Sequence, residues 1–162
     1  MPYRNLQDKR AIVTGASSGI GWHLVKQLAT EGVSVIACAR RADLLEDLAN
    51  QIQSQGGTCI PVSGDITSES TRREIIDVCN REFGGLDILI NNAGIGAMGR
   101  FDESETARIR QVFEVNFFAV AEMIRDSLPS LKQGSSPIIV NMSSVLAHRA
   151  TPLKSEYCAS KF

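Results

Sequence analysis

A tyrosine and a lysine near the end of the sequence have the spacing of an acid–base pair. Tyr157 and Lys161 are four residues apart, so on a helix both side chains lie on one face. The lysine ammonium would stabilise the phenolate, which would let the phenol exchange a proton near neutral pH. Ser144, thirteen positions before Tyr157, could hold a carbonyl oxygen for the tyrosine to protonate. Most such pairs lie on solvated helix faces, so the catalytic interpretation depends on the rest of the chain.

The composition argues against several classes of function. The 162 residues carry a net charge of −1, are 43% hydrophobic and 22% charged, and have no basic tail. We therefore expect one domain over residues 1–162, with no nucleic-acid or membrane partner and a cytoplasmic location. Met1–Arg10 is polar, unlike a signal peptide, and no apolar run is long enough to span a bilayer. The cysteines have no metal-ligand spacing and are expected to be reduced, mostly core thiols: Cys38, Cys59, Cys79 and Cys158.

A glycine-rich turn between a predicted strand and a predicted helix indicates a phosphate-binding loop. The apolar run Ala11–Val13 precedes the turn, and residues with helical spacing follow it from Ile20 to Ala29. Gly15 would let the chain turn, Gly19 would let a phosphate approach the backbone, and Gly21 would let the helix pack near the strand. A turn without a ligand is the alternative. The loop residues expected to contact a dinucleotide are Gly15, Ser17, Ser18, Gly19, Ile20 and Gly21.

The end of the second predicted strand indicates which cofactor binds. This strand covers residues 33–39 and is followed by Arg40 and Arg41, with no carboxylate before Asp43. In a dinucleotide-binding fold an acidic residue here binds the ribose hydroxyls of NAD, whereas an arginine accommodates the 2′-phosphate of NADP. A guanidinium pairs with phosphate through two parallel hydrogen bonds. We therefore predict NADP(H) rather than NAD(H), with Arg40 as the phosphate ligand; the alternative is that both arginines are only solvated.

Strands and helices alternate along the chain, which favours an α/β fold with a doubly wound parallel sheet. The pattern predicts a third strand at 58–62, with Pro61 tolerable at a sheet edge, and a third helix with Ser68 as its N-cap. A fourth strand at 86–90 and a fifth at 137–142 follow. The expected architecture is Rossmann-like, with strand order 3-2-1-4-5. Ligands bind at the carboxyl ends of such strands, where the motif residues fall: Gly15 to Gly21, Arg40, Asp65, Asn92 to Gly94, and Ser144.

A long apolar stripe predicts one helix between the fourth and fifth strands. Its residues are Ile109, Val112, Phe113, Phe117, Val120, Ala121, Ile124 and Leu128. Asn116 falls on this stripe, and an amide on a buried face must find hydrogen-bond partners. Asn116 is therefore either a satisfied structural residue or a group that orders a water or a backbone carbonyl near the site.

These motifs, in this order, resemble those of the short-chain dehydrogenase/reductase family over essentially the whole chain. They are TGxxxGIG at 14–21, NNAG at 91–94, and the set Asn116, Ser144, Tyr157 and Lys161. The resemblance implies that Tyr157 exchanges the proton, that Lys161 assists it and binds the nicotinamide ribose, and that Ser144 orients the substrate. Asn116 would support a water linked to Lys161. The remaining residues implied to contact the cofactor are Asp65, Ile66, Asn92, Ala93 and Gly94.

The implied function is hydride transfer with NADP(H) that interconverts a carbonyl and an alcohol on a small-molecule substrate. Family members continue beyond this point, whereas the sequence stops at Phe162. The family's C-terminal strands and half of its usual homodimer or homotetramer interface are therefore expected to be missing, and the Tyr/Lys helix to fray. The alternative is a catalytically incompetent nucleotide-binding module or an inactive fragment. A nucleotide hydrolase is disfavoured because no GKS or GKT follows the glycines.

Overall fold

One parallel sheet organises the chain, and its strand order is β3-β2-β1-β4-β5, as predicted. The computed structural model describes residues 5–162, so part of the polar segment Met1–Arg10 lies outside the described residues. The strands are β1 (Arg10–Thr14), β2 (Ser34–Ala39), β3 (Cys59–Ser63), β4 (Ile88–Asn91) and β5 (Ile138–Asn141). The helices are α1 (Gly19–Thr30), α2 (Ala42–Ser54), α3 (Glu69–Phe83), α4 (Thr106–Phe113), α5 (Ala119–Lys132) and α6 (Ser155–Lys161).

The central strands are covered on both faces, which explains why they read as continuous apolar runs. In β1 the side chains of Ala11 and Val13 pack on one face and that of Ile12 on the other. Helices α1 and α2 cover the first face, and helices α3 and α5 cover the second. Because β1 pairs with both β2 and β4, the turn that follows β1 lies in the middle of the carboxyl edge of the sheet.

Two local predictions have different outcomes. Pro61 lies in β3, which within residues 5–162 is an edge strand, so the missing N–H of Pro61 is tolerated as expected. Ser68 occupies the N-cap position of α3, but its side chain makes no capping hydrogen bond. The Ser68 hydroxyl instead forms a hydrogen bond of 2.8 Å with the Ser70 hydroxyl. The position of the helix start was therefore predictable, whereas the partner of the serine was not.

A continuous helical segment lies where one helix was predicted after β4, but its predicted apolar face is wrong. The segment comprises α4, a π-helical turn over Glu114–Phe118, and α5. Phe117 and Leu128 of the predicted stripe are 53% and 38% exposed, whereas Ser127 is fully buried. The buried residues of α5 are Ala119, Met123, Ser127, Ser130 and Leu131, so the core-facing line lies beside the predicted stripe and contains small and large side chains. Asn116 does lie on the buried line.

The cysteine thiols are part of the core rather than reactive groups. All four cysteines are free and buried, as predicted for core thiols. Burial raises the pKa of the Cys38, Cys59 and Cys79 thiols to about 12, so these groups stay protonated and poorly nucleophilic at neutral pH.

Within residues 5–162, no helix combines the length and the apolar content that crossing a bilayer requires.

A buried carboxylate joins the amino ends of three strands. Asp87, directly before β4, accepts hydrogen bonds from the Arg10 backbone N–H (3.0 Å), Arg10 Nε (2.9 Å) and Arg10 Nη2 (2.9 Å). It also accepts from the Ser135 backbone N–H at 2.6 Å, close to the start of β5. These bonds, above all those from the Arg10 side chain, lower the pKa of Asp87 to about 2. The Asp87 side chain is only 3% exposed, so solvent screens this interaction little.

Asp87→Asn is expected to lower the free energy of unfolding at pH 7 by roughly 2 kcal/mol. The reason is that the hydrogen bonds and the Arg10 charge stabilise the ionised carboxylate in the folded state, and an amide cannot replace that charge. A lowered carboxyl pKa stabilises the fold above the unfolded-state value, about pH 4, and that contribution disappears as the pH falls to about 2. Urea unfolding at intervals between these values and neutrality measures the effect.

The matched control for this prediction is Asp102→Asn. Asp102 also pairs with an arginine, Arg100, but its side chain is 66% exposed, so the variant should change stability by less than about 0.5 kcal/mol. The interpretation of Asp87 would be contradicted if both variants kept the pH dependence of the unaltered chain.

Candidate functional site

The glycines of the turn after β1 meet three different steric requirements. Gly15 and Gly19 have φ values of +67° and +57°, a region that favours glycine. A Cβ on Gly21 would collide with the Gly15 carbonyl oxygen and the Asn92 amide nitrogen. A Cβ on Gly19 would meet nothing within 4 Å, so the backbone there borders open space. Gly21 therefore permits tight packing, as the sequence predicted, and Gly19 borders open space at the start of α1.

Thr14 and Asn92 join the carboxyl ends of β1 and β4. The Thr14 hydroxyl accepts from the backbone N–H groups of Asn92 (3.1 Å) and Ala93 (3.0 Å). The Asn92 side-chain amide donates in return to the carbonyl oxygens of Thr14 (3.0 Å) and Gly15 (3.1 Å). Sequence reasoning did not select Thr14 as a site residue, although it begins the glycine motif. Its role is to hold the NNAG segment against the glycine turn.

An open cleft of about 380 Å³ runs along the carboxyl edge of the sheet. The predicted cofactor residues that line it are Gly15, Ser17, Ser18, Ile20, Arg40, Asp65, Ile66, Asn92, Ala93 and Gly94. The other lining residues are Cys38, Ala39, Arg41, Gly64, Ile95 and Val115. Gly19, Gly21, Tyr157 and Lys161 are not part of this lining. The glycine turn, the end of β2 and the NNAG segment thus share one concave surface.

Two arginines and one carboxylate give the cleft its charge. Arg41, which sequence reasoning passed over in favour of Arg40, donates to the Ser17 hydroxyl (2.9 Å) and the Ser18 hydroxyl (2.7 Å) of the glycine turn. Asp65 accepts from the Thr67 N–H (2.9 Å) and the Thr67 hydroxyl (2.8 Å). These bonds from Thr67, with a contribution from the charge of Arg40, lower the pKa of Asp65. The doubled arginine was the signal that Arg41 could also matter.

Asn116 lies in the π-helical turn and is bound on both sides. Its Oδ1 accepts from the Ile95 N–H at 2.9 Å, and its Nδ2 donates to the Ile95 carbonyl oxygen at 2.9 Å. The same Nδ2 donates to the Ser160 hydroxyl of α6 at 2.9 Å. Asn116 therefore connects the segment that follows NNAG to the helix that carries Tyr157 and Lys161. These contacts satisfy the buried amide, and they fit both roles considered from sequence, the structural one and the ordering of a backbone carbonyl near the site.

Lys161 approaches the cleft from α6. Its ammonium donates to the Met142 carbonyl oxygen at 3.0 Å, and burial lowers its pKa. A Cβ built on Gly94 would lie 3.5 Å from Lys161 Nζ and 3.2 Å from Asn116 Oδ1. The ammonium, the amide and the glycine backbone are therefore close together, and a Cβ at position 94 would make a tight contact with the Asn116 amide.

Tyr157 and Ser144 lie on separate elements, Tyr157 in α6 and Ser144 just after β5. Tyr157 is one helical turn before Lys161 in α6, as predicted. Among residues 5–162 the Tyr157 hydroxyl has no hydrogen-bond partner. Ser144 follows β5, and its hydroxyl accepts from the Leu146 N–H at 3.1 Å. A phenol with no partner, beside a lysine, is a group that can exchange a proton with a bound molecule. In the same part of the chain, no cluster of three or more His, Cys, Asp or Glu residues is arranged to hold a metal ion.

Comparison with known proteins identifies a family for the chain. The family model described as short chain dehydrogenase matches residues 9–162. A short chain dehydrogenase of Pseudocercospora fijiensis is 40% identical over 158 residues, which are 96% of this chain and 51% of that protein. The chain thus spans about half the length of this curated relative.

Two solved structures have the same fold. A short-chain type dehydrogenase/reductase from Mycobacterium marinum superposes with a TM-score of 0.91 at 30% identity, covering 97% of this chain and 65% of that one. An alcohol dehydrogenase from Thermococcus sibiricus, complexed with 5-hydroxy-NADP, has a TM-score of 0.89 at 29% identity. The superposition covers 94% of this chain and 65% of the Thermococcus sibiricus enzyme. The fold inferred from sequence is therefore correct.

Gly21→Ala and Gly19→Ala form a matched pair that separates packing from ligand access. Gly21→Ala is expected to lower the free energy of unfolding by about 3 kcal/mol, because its methyl group collides with backbone. Gly19→Ala is expected to cost only about 1 kcal/mol, from its positive φ, but to weaken dinucleotide binding at least tenfold. Urea unfolding and calorimetric titration with NADPH measure the two effects. Equal destabilisation by the two substitutions would contradict the assignment.

Proposed function

Because the chain belongs to the short-chain dehydrogenase family, we propose that its site binds NADP(H) and interconverts a carbonyl and an alcohol on a small-molecule substrate. The observation that carries this proposal is the meeting of the Lys161 ammonium, the Asn116 amide and the Gly94 backbone. They lie at the NNAG segment, which also lines a cleft with two arginines. Such a site can hold a dinucleotide and exchange a proton beside it.

The residues of the cleft suit a phosphorylated dinucleotide. The open space at Gly19, at the N-terminus of α1, suits a pyrophosphate, because the first N–H groups of a helix have no partner within the helix. Asp65 and Ile66 form the wall beside which the adenine would lie. Arg40 and Arg41 supply the positive charge that favours a 2′-phosphate over a free hydroxyl. The NADP analogue bound to the Thermococcus sibiricus enzyme supports this choice.

The chain's own residues would manage the proton. A bound nicotinamide supplies or accepts a hydride at the substrate carbon. Tyr157 gives a proton to the substrate oxygen in reduction and takes it back in oxidation, while the nearby ammonium of Lys161 stabilises the phenolate. Ser144 donates a hydrogen bond to the same oxygen and so orients the carbonyl. Asn116 keeps α6 at a fixed distance from the NNAG segment through Ser160.

A catalytically incompetent nucleotide-binding module is the alternative function. Asn116, Ser144, Tyr157 and Lys161 are all present, which favours catalysis. The chain spans about half of its curated relative. The proposal therefore extends to the whole protein, which would catalyse the reaction and assemble as a homodimer or homotetramer. The exposed Phe117 and Phe118 would suit an interface between such subunits.

Arg40→Ala and Arg41→Ala are each expected to reduce the preference for NADPH over NADH by at least tenfold, because a charged donor to phosphate contributes roughly 1.5–3 kcal/mol. Calorimetric titration of each cofactor gives the two dissociation constants. Arg81→Ala is the control, since Arg81 is an exposed arginine of α3 that pairs with Glu82. Equal binding of the two cofactors by the unaltered chain would refute the NADP assignment, and an unchanged preference in Arg40→Ala would remove Arg40 from it.

Tyr157→Phe is expected to reduce turnover by roughly 10²-fold to 10⁴-fold, because the proton donor is lost, while the NADPH dissociation constant changes little. NADPH consumption with a panel of ketones and aldehydes measures turnover. Tyr3→Phe is the control, since Tyr3 is the other tyrosine in the sequence. Retained turnover in Tyr157→Phe would refute the catalytic role. NADPH binding without turnover in the unaltered chain would favour the nucleotide-binding module.

A further inference from the structure

Glu156 is a buried carboxylate directly before the proposed proton donor. It is 2% exposed, although glutamate is rarely buried unless it is paired. It does not line the cleft, and the proton exchange proposed above makes no use of it. Its burial therefore calls for an explanation in terms of its partners.

The carboxylate of Glu156 is bound mainly from another helix. Its Oε1 accepts from the Ser104 hydroxyl at 2.6 Å and from Arg108 Nη2 at 2.6 Å. Its Oε2 accepts from the Ser155 hydroxyl at 2.8 Å. Ser104 lies just before α4, and Arg108 lies in the first turns of α4. The hydrogen bonds from Ser104 and Arg108 lower the pKa of Glu156 to about 2, so the group is an anion at neutral pH.

Arg108 also reaches the loop that follows the NNAG segment. Its Nη1 donates to the Met98 carbonyl oxygen at 3.4 Å, and a Cβ on Gly99 would lie 3.2 Å from the same nitrogen. The Gly99 N–H donates to the Leu153 carbonyl oxygen at 2.9 Å, two residues before α6 begins. One guanidinium therefore joins α4, the loop at 98–99 and the start of α6.

The two attachments of α6 to the helical segment after β4 lie on either side of Tyr157. Glu156 binds α4 in the first turn of α6, and Ser160 binds Asn116 in its last turn. Because α6 has only seven residues, it forms few hydrogen bonds of its own and depends on such contacts for a defined orientation. Loss of the Glu156 attachment would leave the helix held near Ser160 and Lys161 and free to turn at Tyr157.

We propose that Glu156 and Arg108 are positioning residues, whose ion pair fixes α6 against α4 and so orients Tyr157 and Lys161 toward the bound nicotinamide. The inference takes its ligand, the nicotinamide cofactor, from the proposed function. The attachment of α6 to α4 does not depend on that function. It predicts that breaking the pair weakens contacts to the nicotinamide half of the cofactor. Contacts to the adenosine half, which are made by α1, β2 and the Asp65 loop, would be unaffected.

The first measurement is amide hydrogen exchange in the 162-residue chain without ligand. Glu156→Gln keeps the shape of the side chain and removes its charge. It is expected to speed exchange at least tenfold over residues 155–162 and to leave α1, α2 and α3 unchanged. Ser104→Ala, which removes one of the three hydrogen bonds to the carboxylate, should give a smaller effect of the same pattern, and it replaces Glu156→Gln if that variant does not fold. Unchanged exchange over residues 155–162 would overturn the proposal.

The second measurement is calorimetric titration with NADPH and with adenosine 2′,5′-bisphosphate, which lacks the nicotinamide half. Arg108→Met is expected to weaken NADPH binding about tenfold and to change bisphosphate binding less than twofold. Arg108→Lys restores the charge and should keep NADPH binding within about threefold of the unaltered chain. Arg73→Ala, which breaks the exposed pair with Glu69 on α3, is the control and should change neither.

The outcomes separate this inference from the proposed function. Equal weakening of both ligands by Arg108→Met would indicate general destabilisation and overturn the positioning role, as would no change in either ligand. Failure of the unaltered chain to bind NADPH would overturn the proposed cofactor instead. In that case, faster exchange confined to residues 155–162 would still support the attachment of α6, and unchanged exchange there would refute it.

Discussion

The site depends on the pairing of Thr14 with Asn92 at the centre of the sheet. One hydroxyl accepts two backbone N–H groups from the segment after β4, and one amide returns two hydrogen bonds to the turn after β1. The two turns consequently lie so close that a Cβ on Gly15 would be 2.8 Å from Ala93 Cα. The cleft is the space in front of this contact. The base of the cleft is therefore formed by backbone that the Thr14 and Asn92 side chains hold in place.

Two parts of the site are supported by different elements. The turn after β1, the end of β2 and the Asp65 loop belong to the rigid carboxyl edge of the sheet. The residues proposed to exchange the proton lie on α6, which is not in the sheet and is attached by side chains to α4 and to the π-helical turn. Asn116 is one connection between the parts, because it binds both Ile95 and Ser160. Cofactor binding and proton exchange could thus be altered separately by substitution.

The sequence predicted what local chemistry determines, and it missed what depends on packing between distant elements. The positions of the strands, the glycine turn and the edge position of Pro61 follow from apolar runs, glycine spacing and a missing N–H, whereas the strand order followed from the Rossmann-like architecture that the whole pattern favours. The face of α5 was misjudged because small buried residues such as Ser127 carry no hydrophobic signal. The partners of Arg41 and Glu156 could not be read from sequence, since Ser17 and Arg108 are distant from them along the chain. A charged residue shows its role only when its partner is known.

The central position of β1 also affects the order in which the chain can fold during synthesis. Of the five described strands β1 leaves the ribosome first, yet one of its two neighbours is β4, with Ala11 opposite Ile88. The apolar residues of β1 can therefore pair on one edge only until β4, more than seventy residues later in the chain, has emerged. Such long-range parallel pairing is slow and exposes unpaired edges to other chains. Chaperones that shield β1 and β2 at this stage would be expected to raise the yield of folded protein.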